Sequence, residues 1–311
     1  MNFREAIEAC PAILTEGAVI ERLRRVPSVT LDPHILHAGL LRVAAAREIM
    51  RRIYVRYAEI GRDAGLPMIL LTTTWRCSRE RLAAAGFGDD DDLNGEGFRF
   101  LDAIRASFGD YARQIFIGGC IACAGDAYDP SESLPTYEGV RHHRGQVQAL
   151  AKAGVDFIQA ATLPALPEAL GMAIAASECD APYVLSFVLR ADGTLLDGNP
   201  LAEAIEIIDR TATRAPLFYM ANCVHPSVFE SAIEASPTVR PRVIGLQANT
   251  SPRSPEELDG ATETEGMDPD EFAASMLHVH THLGTKILGG CCGTDDRHIS
   301  ALARLIISEP G

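Results

Sequence analysis

The chain is short of long apolar runs, of positive charge and of tryptophan, and the first two shortages each remove a class of function. No stretch reaches the roughly 18 uninterrupted apolar residues that a bilayer-spanning helix needs, so no membrane partner is expected. A formal net charge of −14 leaves too little basic surface for a phosphate backbone. No nucleic acid is expected either, and Arg22, Arg24, Arg25 and the pair Arg51 and Arg52 read as solvated helix faces. The amino terminus, Met1-Asn2-Phe3-Arg4-Glu5, does not place a charged cap before an apolar core, which argues against a secretory signal. Eight cysteines in 311 residues are too few for a disulfide scaffold, and the vicinal Cys291 and Cys292 are badly placed to pair with each other. Free thiols suit a reducing compartment, so the chain reads as cytoplasmic. A homo-oligomer is compatible with this composition.

What is present is an ordinary globular balance, 47% apolar and 23% charged. Short, largely β-branched apolar runs alternate with helical-period segments along the whole chain. Strands are expected at 12–15, 68–74, 114–121, 156–160, 183–188, 217–221, 243–248 and 286–290. Being apolar on both faces, they suit a parallel sheet covered by helices. Helices are expected at 33–59, with Asp32 as N-cap and Pro33 at the first position, and at 144–153, 166–177, 200–210, 226–235, 269–283 and 295–307. Eight strand–helix units predict one (β/α)₈ TIM barrel over residues 1–311 as a single domain. The segment 86–97, with Asp89 to Asp92 between glycines, lacks the oxygen spacing of an EF-hand and reads as a solvated acidic turn. The Pro-, Ser- and Glu-rich segment 247–266 follows the seventh strand and is expected over the barrel mouth.

The chemistry concentrates in Leu288-Gly289-Gly290-Cys291-Cys292-Gly293-Thr294 and in Asn222-Cys223, each at the end of a strand-like run. In a barrel, both ends fall on the face that carries catalysis. Three converging thiolates make a zinc site with one tetrahedral position open, as a catalytic zinc requires. The natural occupant of that position is a further thiol, which coordination deprotonates. Gly289, Gly290 and Gly293 permit the tight path that presents two neighbouring cysteines to one metal. Read separately, the same cysteines are ordinary buried thiols.

These two motifs, together with Thr15-Glu16-Gly17-Ala18 and Leu71-Thr72-Thr73-Thr74-Trp75, resemble the zinc-dependent homocysteine S-methyltransferases, from about residue 11 to the carboxyl terminus. The resemblance implies a zinc cofactor on Cys223, Cys291 and Cys292. It also implies a small-molecule thiol acceptor, homocysteine giving methionine, and a sulfonium or ammonium methyl donor. Glu16 stands where the family carries an aspartate before glycine. With Gly17 and Ala18 it is expected to meet the acceptor, although a carboxylate there also caps a following helix. Trp75 could take a cationic donor on its ring face, a contact worth about 0.5–2 kcal/mol; plain burial explains it nearly as well. Asn222 is expected to hold the metal loop or touch substrate, and Asn249 to line the site. Ala161 occupies the place of the family's glutamate at the end of the fourth strand, with Gln159 one step deeper on the same face. That exchange points to a different thiol acceptor as the alternative, or to a zinc-binding barrel without catalysis.

Other candidates weigh less. Cys120 and Cys123 form a C-x-x-C after the third strand, read as pocket or core residues with a redox pair as the alternative. His225, two residues after Cys223, is expected either as a spare ligand or as a group that supports the ligands by hydrogen bonding. His278, His280 and His282 lie on a predicted helix, where positions two apart do not share a face, and read as an exposed or packed helix end. His142 and His143 read as surface, and Cys10, Cys77 and Cys179 as structural.

Overall fold

The computed structural model describes residues 1–253 and 266–309. Eight parallel strands close into a barrel in sequence order: β1 (Ile13–Thr15), β2 (Met68–Leu71), β3 (Ile115–Ala122), β4 (Phe157–Leu163), β5 (Tyr183–Phe187), β6 (Tyr219–Val224), β7 (Val243–Ala248) and β8 (Ile287–Gly290). Closure is explicit in the register, where Leu14 pairs with Met68 on one side and Leu288 on the other. The expected (β/α)₈ TIM barrel is the observed fold. No described helix is long and apolar enough to cross a membrane.

Eleven helices accompany the strands among the described residues: α1 (Phe3–Ala9), α2 (Ile20–Arg24), α3 (Ala44–Ala64), α4 (Arg79–Ala84), α5 (Leu93–Ala106), α6 (Thr136–Ala153), α7 (Leu166–Ser177), α8 (Leu201–Thr211), α9 (Pro226–Ala235), α10 (Pro269–Leu283) and α11 (Asp296–Ser308). Their apolar faces and the outer faces of the strands make the larger core. A second core fills the barrel interior with Ile13, Phe116, Phe157, Phe218 and Ile287, all at or near the starts of their strands. Helix α1 plugs that end, and Phe3 stacks on Phe157 with ring centroids 4.1 Å apart. Burying an aromatic side chain contributes about 1.5–3 kcal/mol, so the plug is a substantial part of barrel closure. It leaves the opposite, carboxyl-terminal end as the mouth.

Several expected boundaries move. The helix expected at 33–59 begins only at Ala44. Asp32 accepts from the amides of His34 and Ile35 and closes a local turn, and Leu36 is left-handed with φ 53°. A short polar side chain that bonds its own backbone competes with helix formation. Conversely, α6 begins eight residues before the expected 144, which carries His143 onto a buried face; its expected surface position is corrected. The acidic turn at 86–97 ends at Asp92, whose side chain accepts from Gly95 N–H and starts α5. Glycines at 95 and 97 hid that helix, since each lowers helix propensity by about 1 kcal/mol. The expected mouth segment 247–266 begins as the end of β7, and its residues 254–265 lie outside the described residues.

Candidate metal and substrate site

Strand β6 does not run straight to its end. Its register against β7 shifts between Asn222 and Val224, and the intervening Cys223 takes φ 56°. A left-handed non-glycine residue is costly and persists only where surrounding contacts determine it. The same device recurs on β4, whose register against β5 shifts between Ala160 and Leu163 and whose Thr162 has φ 62°. The buried Asn222 amide ties the two bulges together. Its Oδ1 accepts from Thr162 N–H at 2.8 Å and from Ser186 Oγ at 2.6 Å. Its Nδ2 donates to Thr162 Oγ1 at 2.7 Å and to Cys223 Sγ at 3.5 Å. Bulges at strand ends re-aim side chains, and this one turns the Cys223 thiol toward β8.

The turn after β8 meets it. Cys223 Sγ lies 2.7 Å from Cys291 Sγ, and the sulfurs of Cys223, Cys291 and Cys292 all fall within 4.8 Å of one another. The turn is fixed by its backbone partners. Cys291 N–H donates to Ala248 O, Cys292 N–H to Asn249 Oδ1 at 3.0 Å, and Gly293 N–H to Glu21 Oε2 at 2.7 Å. Gly293 has φ +83°, and a Cβ on Gly290 would collide with the Thr294 side chain. These positions need glycine for backbone conformation and close approach respectively. Thr294 Oγ1 donates to Cys291 O and accepts from Ala18 N–H.

The three thiols behave as one coupled group. Donors from Cys291 and Cys292, then from Tyr128 and Asn222, hold the Cys223 thiol well below its usual range. Hydrogen bonding to Cys223, together with burial, in turn pushes Cys291 and Cys292 up. The half-buried Tyr128, on the loop after β3, brings its hydroxyl to Cys223 and within electrostatic reach of all three sulfurs. That residue was not anticipated from sequence; the only signal was an aromatic on a loop at the carboxyl-terminal face. Among the described residues the cluster consists of these sulfurs alone. His225 instead caps α9, bonding Ser227 through Nδ1, which leaves no support for it as a ligand. A soft three-sulfur donor set with no fourth side chain fits an open zinc site.

The expected substrate residues divide. Glu16 is buried at the end of β1, where Oε2 accepts from Leu71 N–H at 2.9 Å. Burial pushes its carboxyl well above the usual range, and the Leu71 amide opposes this only in part. It does not cap the following helix, since α2 has no side-chain cap bond. Gly17 packs against Thr294 and Tyr57, where a Cβ would lie 2.9 Å from each hydroxyl. Gln159 reaches across the barrel to Gln247 at 2.7 Å, and Gln247 continues to Thr15 at 3.1 Å, so it forms part of an internal polar layer. Trp75 is half-buried, and Arg76 of the same chain lies 4.8 Å from its ring centroid, so one cation already occupies its ring. Ala161 is buried in the barrel interior beside Cys120. Cys120 and Cys123 are both buried with their thiols pushed up, Cys123 to about 12, as expected for core groups and not for a reactive pair.

Comparison with known proteins agrees with this geometry. The family model described as homocysteine S-methyltransferase matches residues 13–306. A homocysteine S-methyltransferase of Bacillus subtilis, YbgG, is 24% identical and covers 96% of this chain and 95% of its own. The homocysteine S-methyltransferase of Escherichia coli is 25% identical over 82% of this chain and 83% of its own. The metallated form of the homocysteine methyltransferase MmuM from Escherichia coli has the same fold, with a TM-score of 0.75 at 20% identity, covering 97% of this chain and 99% of that one. With residues 13–306 matched, a span that holds all eight strands and all three clustered cysteines, the chain is a methyltransferase and belongs to the homocysteine S-methyltransferase family.

Proposed function

We propose that this enzyme transfers a methyl group from a sulfonium or quaternary ammonium donor to a thiol, homocysteine being the acceptor that family membership favours. Cys223, Cys291 and Cys292 would hold zinc. When bound, the metal supplies the positive charge that keeps an incoming thiol deprotonated at neutral pH. The convergence of three sulfurs from β6 and β8 at the barrel mouth carries the reading.

The chain's own residues supply orientation and selectivity. A lone pair on the acceptor sulfur forms the new S–C bond as the donor's C–S or C–N bond breaks, its electrons leaving with a neutral thioether or amine. Every ligand sulfur is a competing nucleophile. The hydrogen bonds that Asn222 and Tyr128 give to Cys223 draw on its lone pairs and make it a poorer one. Asn249 keeps Cys292 in place through its backbone. Glu16 offers a carboxyl that an incoming ammonium group would draw into its ionised form.

The test is metal content and turnover on the same preparations. Purified protein should carry zinc and methylate homocysteine with S-methylmethionine or another methyl donor, and Cys292→Ser should lose one equivalent of zinc together with the turnover. A zinc content in Cys292→Ser equal to that of wild type would refute the site. A second reading, the same chemistry on another thiol, is favoured by one observation: Ala161, where the resemblance implies a glutamate, is a buried methyl group that offers an amino group no charge. A thiol panel including acceptors without an ammonium group separates the two.

A further inference from the structure

The outer helices carry a second set of ligand atoms, separate from the thiols. Helices α9 and α10 each follow a strand in a parallel barrel, so they run in the same direction side by side. Glu230 and Glu234 are one turn apart on α9, and His278 and His282 are one turn apart on α10. Residues at i and i+4 share a helix face, so two carboxylates meet two imidazoles in register. His278 Nε2 lies 2.7 Å from Glu230 Oε1, and His282 Nε2 lies 3.5 Å from Glu234 Oε1. The two rings stack nearly parallel, 10° apart with centroids at 5.2 Å, so their Nε2 atoms point the same way. His280 does not belong to the set; its Nδ1 bonds Thr285 O.

Ligand atoms of Glu230, Glu234 and His282 all fall within 4.8 Å of one another. Two helical residues four apart are a proven arrangement for holding one metal. One nitrogen and two carboxylates form a borderline-hard donor set suited to zinc, cobalt or manganese with water completing the shell. His278 fits the supporting role, since ligating carboxylates are themselves held by hydrogen bonds from a further shell. Glu230 lies in the middle of its helix, while Glu234, His278 and His282 lie in the later turns of theirs, on the outer surface of the barrel.

We propose that Glu230, Glu234 and His282 form a second divalent transition-metal site, with His278 positioning Glu230, and that the bound ion clamps α9 to α10. The clamp joins the helix that leaves Cys223 to the helix that leads into β8. It does not depend on the thiol site or on the methyltransferase reading.

The experiment is equilibrium dialysis of untagged protein against zinc, with metal content and thermal unfolding read on each sample. Wild type should bind two equivalents, His282→Ala one, Cys292→Ser one, and the double variant none. His278→Ala should keep the second equivalent with affinity reduced about tenfold. Excess zinc should raise the Tm of Cys292→Ser but not of the double variant. The proposal is overturned if His282→Ala binds as many equivalents as wild type, or if Cys292→Ser binds none while remaining folded. The substituted helix residues are solvent-exposed or half-buried, so the variants are expected to fold.

Discussion

Asn222→Ala separates the contribution of the amide that ties the two bulges together from that of the thiols themselves. The native amide satisfies the Thr162 N–H and the hydroxyls of Ser186 and Thr162, and it touches Cys223 Sγ. Removing it leaves at least the Thr162 N–H and the Ser186 hydroxyl without partners in a buried setting. Each such group costs about 1–3 kcal/mol, so a loss of about 3 kcal/mol is expected. At about 1.5 °C per kcal/mol for 311 residues, Tm should fall by about 4–5 °C. Two left-handed residues, Thr162 and Cys223, also lose the group that spans them, so metal affinity should fall by about 10–100-fold even where the protein is folded. Asn222→Asp sharpens the test. It keeps an acceptor for Thr162 N–H and Ser186, so most stability should return, but it sets a negative charge against Cys223 and affinity should remain low. Differential scanning calorimetry and competition with a chromophoric chelator read the two effects. A Tm within about one degree of wild type together with unchanged affinity in Asn222→Ala would refute this role of the amide.

Four further outcomes follow from particular contacts. Burial pushes the Glu16 carboxyl up in the folded chain, while the unfolded chain releases that proton near the ordinary value of about 4.3. The native state then binds more protons, so stability falls as pH rises from the ordinary value toward the raised one. Glu16→Gln should flatten that slope in urea unfolding across pH and be the more stable form at neutral pH; an unchanged slope refutes the assignment. Tyr128→Phe, removing one hydroxyl from Cys223, should lower zinc affinity by about tenfold with little change in Tm, as chelator competition can show. Glu168 accepts from Ala124 N–H, Leu134 N–H and His143 Nε2 in a fully buried position. Glu168→Ala should cost about 3–5 kcal/mol by orphaning these groups, and proteolysis should then cut first within the loop they fix, between Ala124 and Leu134. Phe3→Ala, which opens the barrel plug, should cost about 3–5 kcal/mol in denaturant unfolding with zinc content unchanged.

The barrel was readable because its evidence is periodic and distributed. Each strand is a short apolar run, and no boundary error disturbs the count. The thiol trio was readable for a different reason: sulfur is rare in the chain, and three of its eight cysteines end strands. What stayed hidden is local and conformational. Nothing in Asn222-Cys223-Val224 reveals that Cys223 is bulged, since the conformation is imposed by an amide bonded across to β4 and β5. The displaced start of α3 depended on whether Asp32 would cap a helix or its own turn, a choice decided by tertiary contacts. Tyr128 could not be seen because a loop residue's aim is set by its anchors. Those anchors, Glu168 and Glu132, are up to forty positions away in the chain.

The vertical order of the barrel interior explains why the site has the electrostatics it does. The amino-terminal end is closed by stacked aromatics and α1, so no water column enters from below. Above them, Gln159, Gln247 and Thr15 bond one another and take up the polar capacity of the middle layer within the protein. The ionisable groups at the top, Glu16 and the three thiols, therefore face solvent on one side only. Desolvation then acts on each according to its partners. Glu16, with one amide donor, is pushed toward its neutral form. Cys223, with donors from four side chains, is the sulfur most favoured to give up its proton. An apolar floor and an uneven supply of hydrogen-bond donors thus favour negative charge at one sulfur of the trio, at the position where a divalent ion would be drawn.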